Sequence, residues 1–306
     1  MRIAVPKETK SGELRVALVP DIISKLTKAG LEVIIESNAG LASEYSDKQF
    51  SDAGAEVKSG DVLAGSDVVL SVQPLTANQM KTLKKGAITI SFLSPSTAQD
   101  SIDAAVSAGV TAISLEMVPR ISRAQSMDAL TSQALCAGYK ASLVAAELSP
   151  KFFPLLMTAA GTVTPAKVVV LGAGVAGLQA IATAKRLGAV VSAYDVRPAS
   201  ADEVKSMGAK FINLELEALE GAGGYAREMT EERANKQREL LTPYIASADV
   251  LITTAAVPGR TAPRLVTAQM VSQMKPGSVV VDLASETGGN VEGSVAGEIV
   301  TTSGGV

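Results

Sequence analysis

The sequence predicts an α/β protein of two Rossmann-like lobes, each with a parallel sheet flanked by helices, joined by a long helix. Three observations support this prediction. Strand and helix candidates alternate along most of the 306 residues, a glycine-rich turn follows an all-apolar strand near residue 172, and a long helix candidate separates the two alternating regions. This alternation is typical of parallel sheets covered by helices.

The first lobe is predicted to cover residues 1–128. Pro20 and Asp21 are good residues to start its first helix, and Gly30 is a good residue to stop it. This region has no G-x-G-x-x-G pattern, so we expect a Rossmann-like lobe without its own dinucleotide site. The predicted strands are residues 2–5, 32–36, 68–72, 87–92 and 110–115, and the predicted helices are residues 21–29, 47–53, 76–83 and 101–108.

A connecting segment is predicted over residues 129–158. Its first 20 residues, 129–148, are predicted to form one long helix, with Pro150 and Pro154 just beyond its end. The loop before this helix, residues 120–128, is polar.

The second lobe is predicted to cover residues 159–306. A long insertion, residues 213–248, separates its third and fourth strands; it contains a glycine-rich run ending at Tyr225 and then a charged helix. A lid and a plain surface connection both fit this insertion. The chain ends in a glycine-rich stub, so we expect it to be a fragment or one piece of a larger assembly. The predicted strands are residues 167–171, 190–194, 210–212, 250–254 and 278–283.

Residues 167–178 carry the most informative local pattern. Residues 168–171 are continuously apolar, as in a strand buried on both faces. Gly172, Gly174 and Gly177 then fit G-x-G-x-x-G. The first glycine permits the tight turn, the second lets the backbone approach a pyrophosphate, and the third lets the helix pack closely on the strand. The helix that follows directs free N–H groups at phosphates.

Asp195 sets the predicted nucleotide preference. It ends the next strand, 18 residues after Gly177, where a carboxylate can bind the adenosine ribose hydroxyls. A carboxylate there repels a 2′-phosphate, so NAD(H) is favoured over NADP(H), although Arg197 lies two residues further on and weakens this preference.

The composition excludes several classes of protein. A net charge of −3 gives no sign of a nucleic-acid-binding surface, and one cysteine cannot form an intramolecular disulfide framework. The apolar stretch 152–184 is interrupted by prolines and glycines, so direct membrane insertion is not predicted. The chain has no histidine, the commonest general acid–base and metal ligand, and no metal site is expected.

Motifs along the whole chain resemble one family. With these motifs the chain resembles the NAD(H)-binding domain of the alpha subunit of proton-translocating NAD(P) transhydrogenases, a family related to alanine dehydrogenases. The loop at residues 120–128 is the most specific of them. The motifs are residues 2–8, 13–17, 118–128, the glycine pattern, 195–198, 223–226, 257–259, 274–278 and 288–290.

The resemblance implies roles for particular residues. The nicotinamide end would be positioned by Arg120, Gln125 and Asp128, which would be the catalytic set. Further nicotinamide-side contacts would come from Ile121, Ser122, Ser126, Met127 and Thr131. The pyrophosphate would be held by Gly172, Gly174, Val175 and Gly177, and the ribose side by Asp195, Val196 and Arg197. Gly224 and Tyr225 would lie on a mobile loop that closes over NAD(H).

The resemblance also implies an activity and partners. The family transfers a hydride directly between NADH and NADP⁺, with Re/Si specificity, and couples the transfer to proton translocation. The NAD(H)-binding domain would be a homodimer beside an NADP(H)-binding domain and a membrane-spanning subunit. It would lie on the cytoplasmic side, peripheral to the inner membrane, as in bacteria. The family's domain has a further carboxyl-terminal segment that we expect to be missing here.

The residues alone leave two other functions open. An alanine dehydrogenase-like enzyme would use a lysine in Lys-Val-Lys-Glu-Pro and a histidine after Phe-Leu, whereas this chain has Ser-Val-Gln-Pro at 71–74 and Phe-Leu-Ser at 92–94. Arg15 and Glu286 would then be its remaining charged candidates. A non-catalytic NAD-binding regulatory module is the third possibility, since direct hydride transfer leaves no acid–base residue to find.

Overall fold

A computed structural model of the chain describes residues 1–95, 97–214, 216, 230–257 and 260–306. The chain divides into two compact units, Met1–Ala129 and Leu130–Val306. The two large sheets are parallel and flanked by helices, which confirms the predicted α/β class.

The first unit is a six-stranded parallel sheet of order β3-β2-β1-β4-β5-β6. Strand β3 was not predicted from the sequence. The strands are β1 (Arg2–Val5), β2 (Glu32–Glu36), β3 (Glu56–Lys58), β4 (Val68–Leu70), β5 (Ile88–Ser91) and β6 (Thr111–Ser114). The helices are α1 (Pro20–Lys28), α2 (Asp47–Asp52), α3 (Ala77–Thr82) and α4 (Gln99–Ala108).

Local sequence signals explain where these helices begin. Pro20 is the first residue of α1, a position where the missing N–H has no cost. Ser46 and Gln49 form a reciprocal capping box at the start of α2, and Thr76 and Gln79 form one at the start of α3.

The second unit is a five-stranded parallel sheet of order β11-β10-β9-β12-β13, with a separate antiparallel hairpin, β7-β8. The hairpin and helices α7 and α9 were not predicted from the sequence. The strands are β7 (Leu156–Thr158), β8 (Gly161–Val163), β9 (Lys167–Leu171), β10 (Val190–Tyr194), β11 (Lys210–Phe211), β12 (Val250–Thr253) and β13 (Val279–Asp282). The helices are α5 (Ala129–Leu148), α6 (Val175–Arg186), α7 (Ser200–Ser206), α8 (Glu231–Ser247) and α9 (Ala268–Val271).

The predicted long helix is confirmed as α5, which packs closely on α6. The hydroxyl of Ser142 donates to the carbonyl of Ala180 at 2.8 Å. A Cβ at Gly138 would lie 2.1 Å from the carbonyl oxygen of Ala176, so only glycine allows this approach. Elsewhere on α5 the side chain of Cys136 is exposed. In the described residues, no helix combines the length and apolar character needed to cross a membrane.

The order of the second sheet positions the candidate site. The strand order reverses between β9 and β12, which pair directly. In open α/β sheets, ligands bind at the carboxyl ends of the strands beside such a reversal. The glycine turn after β9 and the residues after β12 meet at this edge.

Candidate functional site

The glycine turn after β9 has the geometry that the sequence predicted. Gly172 has φ +98°, a conformation that glycine adopts at little cost. Its N–H donates to the carbonyl of Tyr194 at 2.8 Å, and its carbonyl accepts from the hydroxyl of Thr254 at 3.1 Å. The turn is therefore held from β10 on one side and from the end of β12 on the other.

Gly177 and Gly174 differ in the space around them. A Cβ at Gly177 would lie 1.8 Å from the carbonyl oxygen of Gly172, so the protein's own packing excludes a side chain there. A Cβ at Gly174 would meet no atom of the described residues within 4 Å, and the φ of −75° at this position suits any residue. Packing among the described residues does not require a glycine at position 174, and its bare backbone would allow a ligand to approach closely.

The start of α6 offers backbone donors to an anion. Gly174 is the N-cap residue, and it makes no side-chain capping hydrogen bond. The first turn contains no acidic residue, so no carboxylate there competes with a ligand for the helix dipole. This arrangement suits a phosphate group.

Asp195 is tied to the glycine turn and to Arg197. Its side chain is only 8% exposed, and its Oδ2 accepts from the N–H of Ala173 at 2.7 Å. Arg197 donates from Nε to Oδ1 at 2.9 Å and from Nη2 to Oδ2 at 3.0 Å. The predicted ribose-side residues Asp195 and Arg197 are thus brought together, and Val196 lies between them in the chain.

Asn290 supports the loop after β12, a role that sequence reasoning missed. Its fully buried amide accepts from the N–H of Ala255 at 2.9 Å and donates to the carbonyl of the same residue at 2.7 Å. Asp282 holds the neighbouring loop by accepting from the N–H of Val291 at 3.0 Å and the hydroxyl of Ser294 at 2.8 Å. The Gly-Gly-Asn motif at 288–290 was the available signal, but no role could be assigned to it.

The residue before Asp195 is a structural anchor. The hydroxyl of Tyr194 donates to Oε1 of Gln237 on α8 at 3.0 Å, and both side chains are buried. Burial raises the pKa of Tyr194 to about 12, so the phenol stays protonated and keeps this hydrogen bond.

The polar loop proposed for the nicotinamide end lies in the first unit. Residues Ser122–Met127 form a 3₁₀ helix in which Ala124 is buried, while Gln125 and Met127 are exposed. Ile121, Ser122 and Ser126 are exposed as well. Arg120 Nε lies 3.8 Å from Asp128 Oδ2, so these two predicted residues are neighbours. Thr131 is half-buried in the first turns of α5.

Two predicted residues, Gly224 and Tyr225, lie outside the described residues, as do Pro258 and Gly259 of the motif at 257–259. Within the described ranges, His, Cys, Asp and Glu side chains form no group of three or more that could hold a metal ion.

Comparison with known families covers nearly the whole chain. The alanine dehydrogenase/PNT N-terminal domain matches residues 4–137, and the alanine dehydrogenase/PNT C-terminal domain matches residues 141–306. The chain belongs to the alanine dehydrogenase/PNT family.

Within this family, the chain is similar to transhydrogenase subunits. It is 48% identical to an NAD(P) transhydrogenase subunit alpha protein of Rhodospirillum rubrum, over 99% of this chain and 82% of that protein. It is 33% identical to the alanine dehydrogenase of Mycobacterium tuberculosis, over 96% of this chain and 75% of that enzyme. The predicted resemblance to transhydrogenase alpha subunits is confirmed.

Solved structures give the same ranking. A transhydrogenase from Sinorhizobium meliloti has a TM-score of 0.89 and 45% identity, covering 100% of this chain and 84% of that one. An L-alanine dehydrogenase has a TM-score of 0.79 and 28% identity, covering 96% and 77% of the two chains.

Proposed function

We propose that the chain is the NAD(H)-binding component of a Re/Si-specific, proton-translocating NAD(P) transhydrogenase. The observation that carries the proposal is the glycine turn, where Gly174 leaves open space that a pyrophosphate would fill and Asp195 lies beside the turn. The 48% identity to a transhydrogenase alpha subunit supports it.

Gly172, Gly174, Val175 and Gly177 would hold the pyrophosphate. Asp195 would bind the ribose hydroxyls, with Val196 and Arg197 beside it at the ribose side. Bound NADH supplies a hydride, which passes directly to NADP⁺ on a partner domain. Direct transfer between two nicotinamide rings depends on their proximity and orientation. It needs no side-chain acid or base at the reacting carbon, and the chain has no histidine.

Arg120, Gln125 and Asp128 would orient the nicotinamide. The proposal rests on the exposed Gln125, whose amide can both donate and accept hydrogen bonds, and on the nearby Arg120 and Asp128 charges. The neighbouring Ile121, Ser122, Ser126, Met127 and Thr131 would complete this end, and Gly224 and Tyr225 would lie on the covering loop.

The partners follow from this activity. An NADP(H)-binding domain would accept the hydride, and a membrane-spanning subunit would carry the protons. The chain would then lie on the cytoplasmic side of a bacterial inner membrane, held there through these subunits.

A second copy of the chain is the proposed partner of the β7-β8 hairpin. Every residue from 155 to 164 is exposed, the segment carries no charge, and Met157 is 76% exposed. An isolated two-stranded hairpin is marginally stable, and an uncharged apolar edge invites further strand pairing. The same edge on a second copy can pair antiparallel about a two-fold axis.

Replacing Met157 with glutamate tests this homodimer. Sedimentation velocity over a concentration series should give a dimer for the wild type and a monomer for Met157→Glu, because the charge would be buried in the interface. Met207→Glu is the matched control, since Met207 is also exposed, at 41%, in the same unit. A monomeric wild type, or a dimeric Met157→Glu variant, would contradict the proposed interface.

An alanine dehydrogenase-like activity is not favoured. Arg15, the candidate anchor for a substrate carboxylate, is bound by Glu13, with Nε to Oε1 at 2.7 Å and Nη2 to Oε2 at 2.6 Å. Its charge is therefore already paired within the first unit.

One assay separates the three functions. The chain is mixed with NADH, a purified NADP(H)-binding partner domain and an NADP⁺ analogue whose reduced form absorbs at its own wavelength. The expected result is reduction of the analogue. In a separate reaction that contains the chain, alanine and NAD⁺, no NADH should form. Turnover of alanine would favour a dehydrogenase, and NADH binding without transfer would favour a regulatory module.

The nicotinamide loop is tested by Gln125→Asn in the same assay. Shortening the side chain should lower the hydride-transfer rate at saturating NADH roughly tenfold or more, because misplacement by about 1 Å is costly. Gln99→Asn, on α4 of the same unit, controls for a general effect of the substitution. An unchanged rate for Gln125→Asn would show that this residue does not position the ring.

A further inference from the structure

The carboxylate of Asp195 has a donor at each of its acceptor positions. Two donors are backbone groups, the N–H of Ala173 at 2.7 Å from Oδ2 and the N–H of Arg197 at 2.9 Å from Oδ1. The other two belong to the Arg197 guanidinium, which places Nε 2.9 Å from Oδ1 and Nη2 3.0 Å from Oδ2. A carboxylate offers about four lone-pair positions, so none is left for a ligand.

A ribose can bind Asp195 only by displacing donors. The two N–H groups are fixed by the backbone of the turn and of the segment after β10. The guanidinium ends a long side chain with several rotatable bonds and is partly exposed, at 23%, so it is the donor that can move away. It makes one contact to each carboxylate oxygen, which is the pattern that two neighbouring ribose hydroxyls would make.

We propose that Arg197 determines nucleotide specificity by competing with the adenosine ribose for Asp195. The inference rests on the proposed binding of NAD(H) at the glycine turn. A ribose with two free hydroxyls replaces the guanidinium donors one for one. A 2′-phosphate cannot, because at neutral pH it offers mainly negatively charged acceptor oxygens to a carboxylate.

The guanidinium of Arg197 could itself bind a 2′-phosphate, but its ion pair with Asp195 occupies it. The bidentate contact holds the Arg197 guanidinium against the carboxylate, and an ion pair of this geometry is among the stronger ones. Removing the negative charge at position 195 leaves arginine, the side chain best suited to bind phosphate, beside the ribose position. The preference for NAD(H) is therefore a property of the pair, and not of Asp195 alone.

Four proteins test the proposal: the wild type, Arg197→Ala, Asp195→Asn and the double variant. Each is titrated with NADH and with NADPH, using the fluorescence of the reduced nicotinamide. Arg197→Ala should bind NADH roughly two- to fivefold more tightly, because a competing ion pair has been removed. Asp195→Asn should bind NADPH at least about tenfold more tightly than the wild type does, and it should bind NADH more weakly.

The double variant separates charge removal from phosphate binding. It should lose most of the NADPH affinity that Asp195→Asn gained, and that gain should shrink at high salt, where charge interactions are screened. The proposal is overturned if Arg197→Ala binds NADH more weakly than the wild type, or if the double variant binds NADPH as tightly as Asp195→Asn. Circular dichroism and thermal unfolding confirm that each variant is folded.

Failure of the proposed function gives a different result. If the wild type binds neither nucleotide, both the proposed NAD(H) site and this inference are wrong. If the wild type binds NADH but the Arg197 variants give the contradicting results above, the proposed NAD(H) site stands. Only the competition between Arg197 and the ribose is then wrong.

Discussion

The two units have the same relative strand order, but they differ where the order reverses. In the first unit, Glu8 follows β1 and its carboxylate accepts from the N–H groups of Val72 and Gln73, at 2.6 and 3.2 Å. In the second unit, the turn after β9 is built from glycines, and the N-cap residue of α6, Gly174, has no side chain with which to cap the helix. Topology alone therefore does not distinguish the two reversals; the bare backbone of the glycine turn does, and it is where we propose that the dinucleotide binds.

In the first unit, charged side chains lie at the point where the strand order reverses. A cavity of about 350 Å³ lies there, lined in part by Lys7, Glu8 and Gln73. Burial raises the pKa of Glu8, while the Arg15 hydrogen bond lowers the pKa of Glu13 to about 2. The amide of Gln73 also donates to Glu13 at 2.7 Å. The first edge is thus held by charged side chains, whereas at the second edge the carboxylate of Asp195 supports a turn built from glycine backbone.

The largest expected effect is that of Gly177→Ala. A Cβ 1.8 Å from the Gly172 carbonyl would force the turn and α6 apart, at about 3 kcal/mol or more, because backbone cannot easily relax. Urea unfolding measures the loss. The matched control is Ala176→Gly, which should cost only about 1 kcal/mol. A Gly177→Ala variant as stable as the wild type would refute the packing role of this glycine.

The second-largest expected effect is a loss of stability at low pH, through Glu13 in the first unit. The lowered pKa of Glu13 means that its stabilising contribution is present above about pH 4.5 and is lost as the pH falls toward about 2. Between these limits, the free energy of unfolding should fall by roughly 2 kcal/mol more in the wild type than in Glu13→Gln. Urea unfolding at a series of pH values gives both curves, and parallel curves would show that the Glu13 ion pair contributes nothing.

The smallest effect in free energy is that of Gly174→Ala, which separates binding from folding. A methyl group beside the turn should lower stability by no more than about 1 kcal/mol, because alanine is a poorer N-cap residue than glycine. It should weaken NADH binding about tenfold, since it would stand where the pyrophosphate approaches. Fluorescence titration measures the affinity, and thermal unfolding of the same variant without nucleotide is the control. Unchanged affinity would mean that no ligand approaches Gly174 closely.

The sequence predicted the elements whose signals are local. The glycine turn, the buried strand β9 and helix α5 have patterns that a short window contains. Hairpin β7-β8 was missed because its turn residues, Ala159 and Ala160, are poor turn formers. Strand β3 was missed because it has only three residues, two of them charged.

The site was predictable only in part for the same reason. Gly172, Gly174, Gly177 and Asp195 form a pattern of fixed spacing. The contacts of Asn290 join residues 35 positions apart in the chain, and no short window shows them. The pairing of Arg197 with Asp195 is local in sequence, but its bidentate geometry depends on how the chain turns after β10.

The exposed Cys136 on α5 has a consequence for labelling. It is the only cysteine in the sequence, so a thiol-reactive dye will attach once per chain and at a known turn of one helix. The rate of that reaction reports how open this face of α5 is to reagent. Measured with and without NADH, or over a range of protein concentrations, it would register ligand-induced or assembly-induced covering without any engineered probe site.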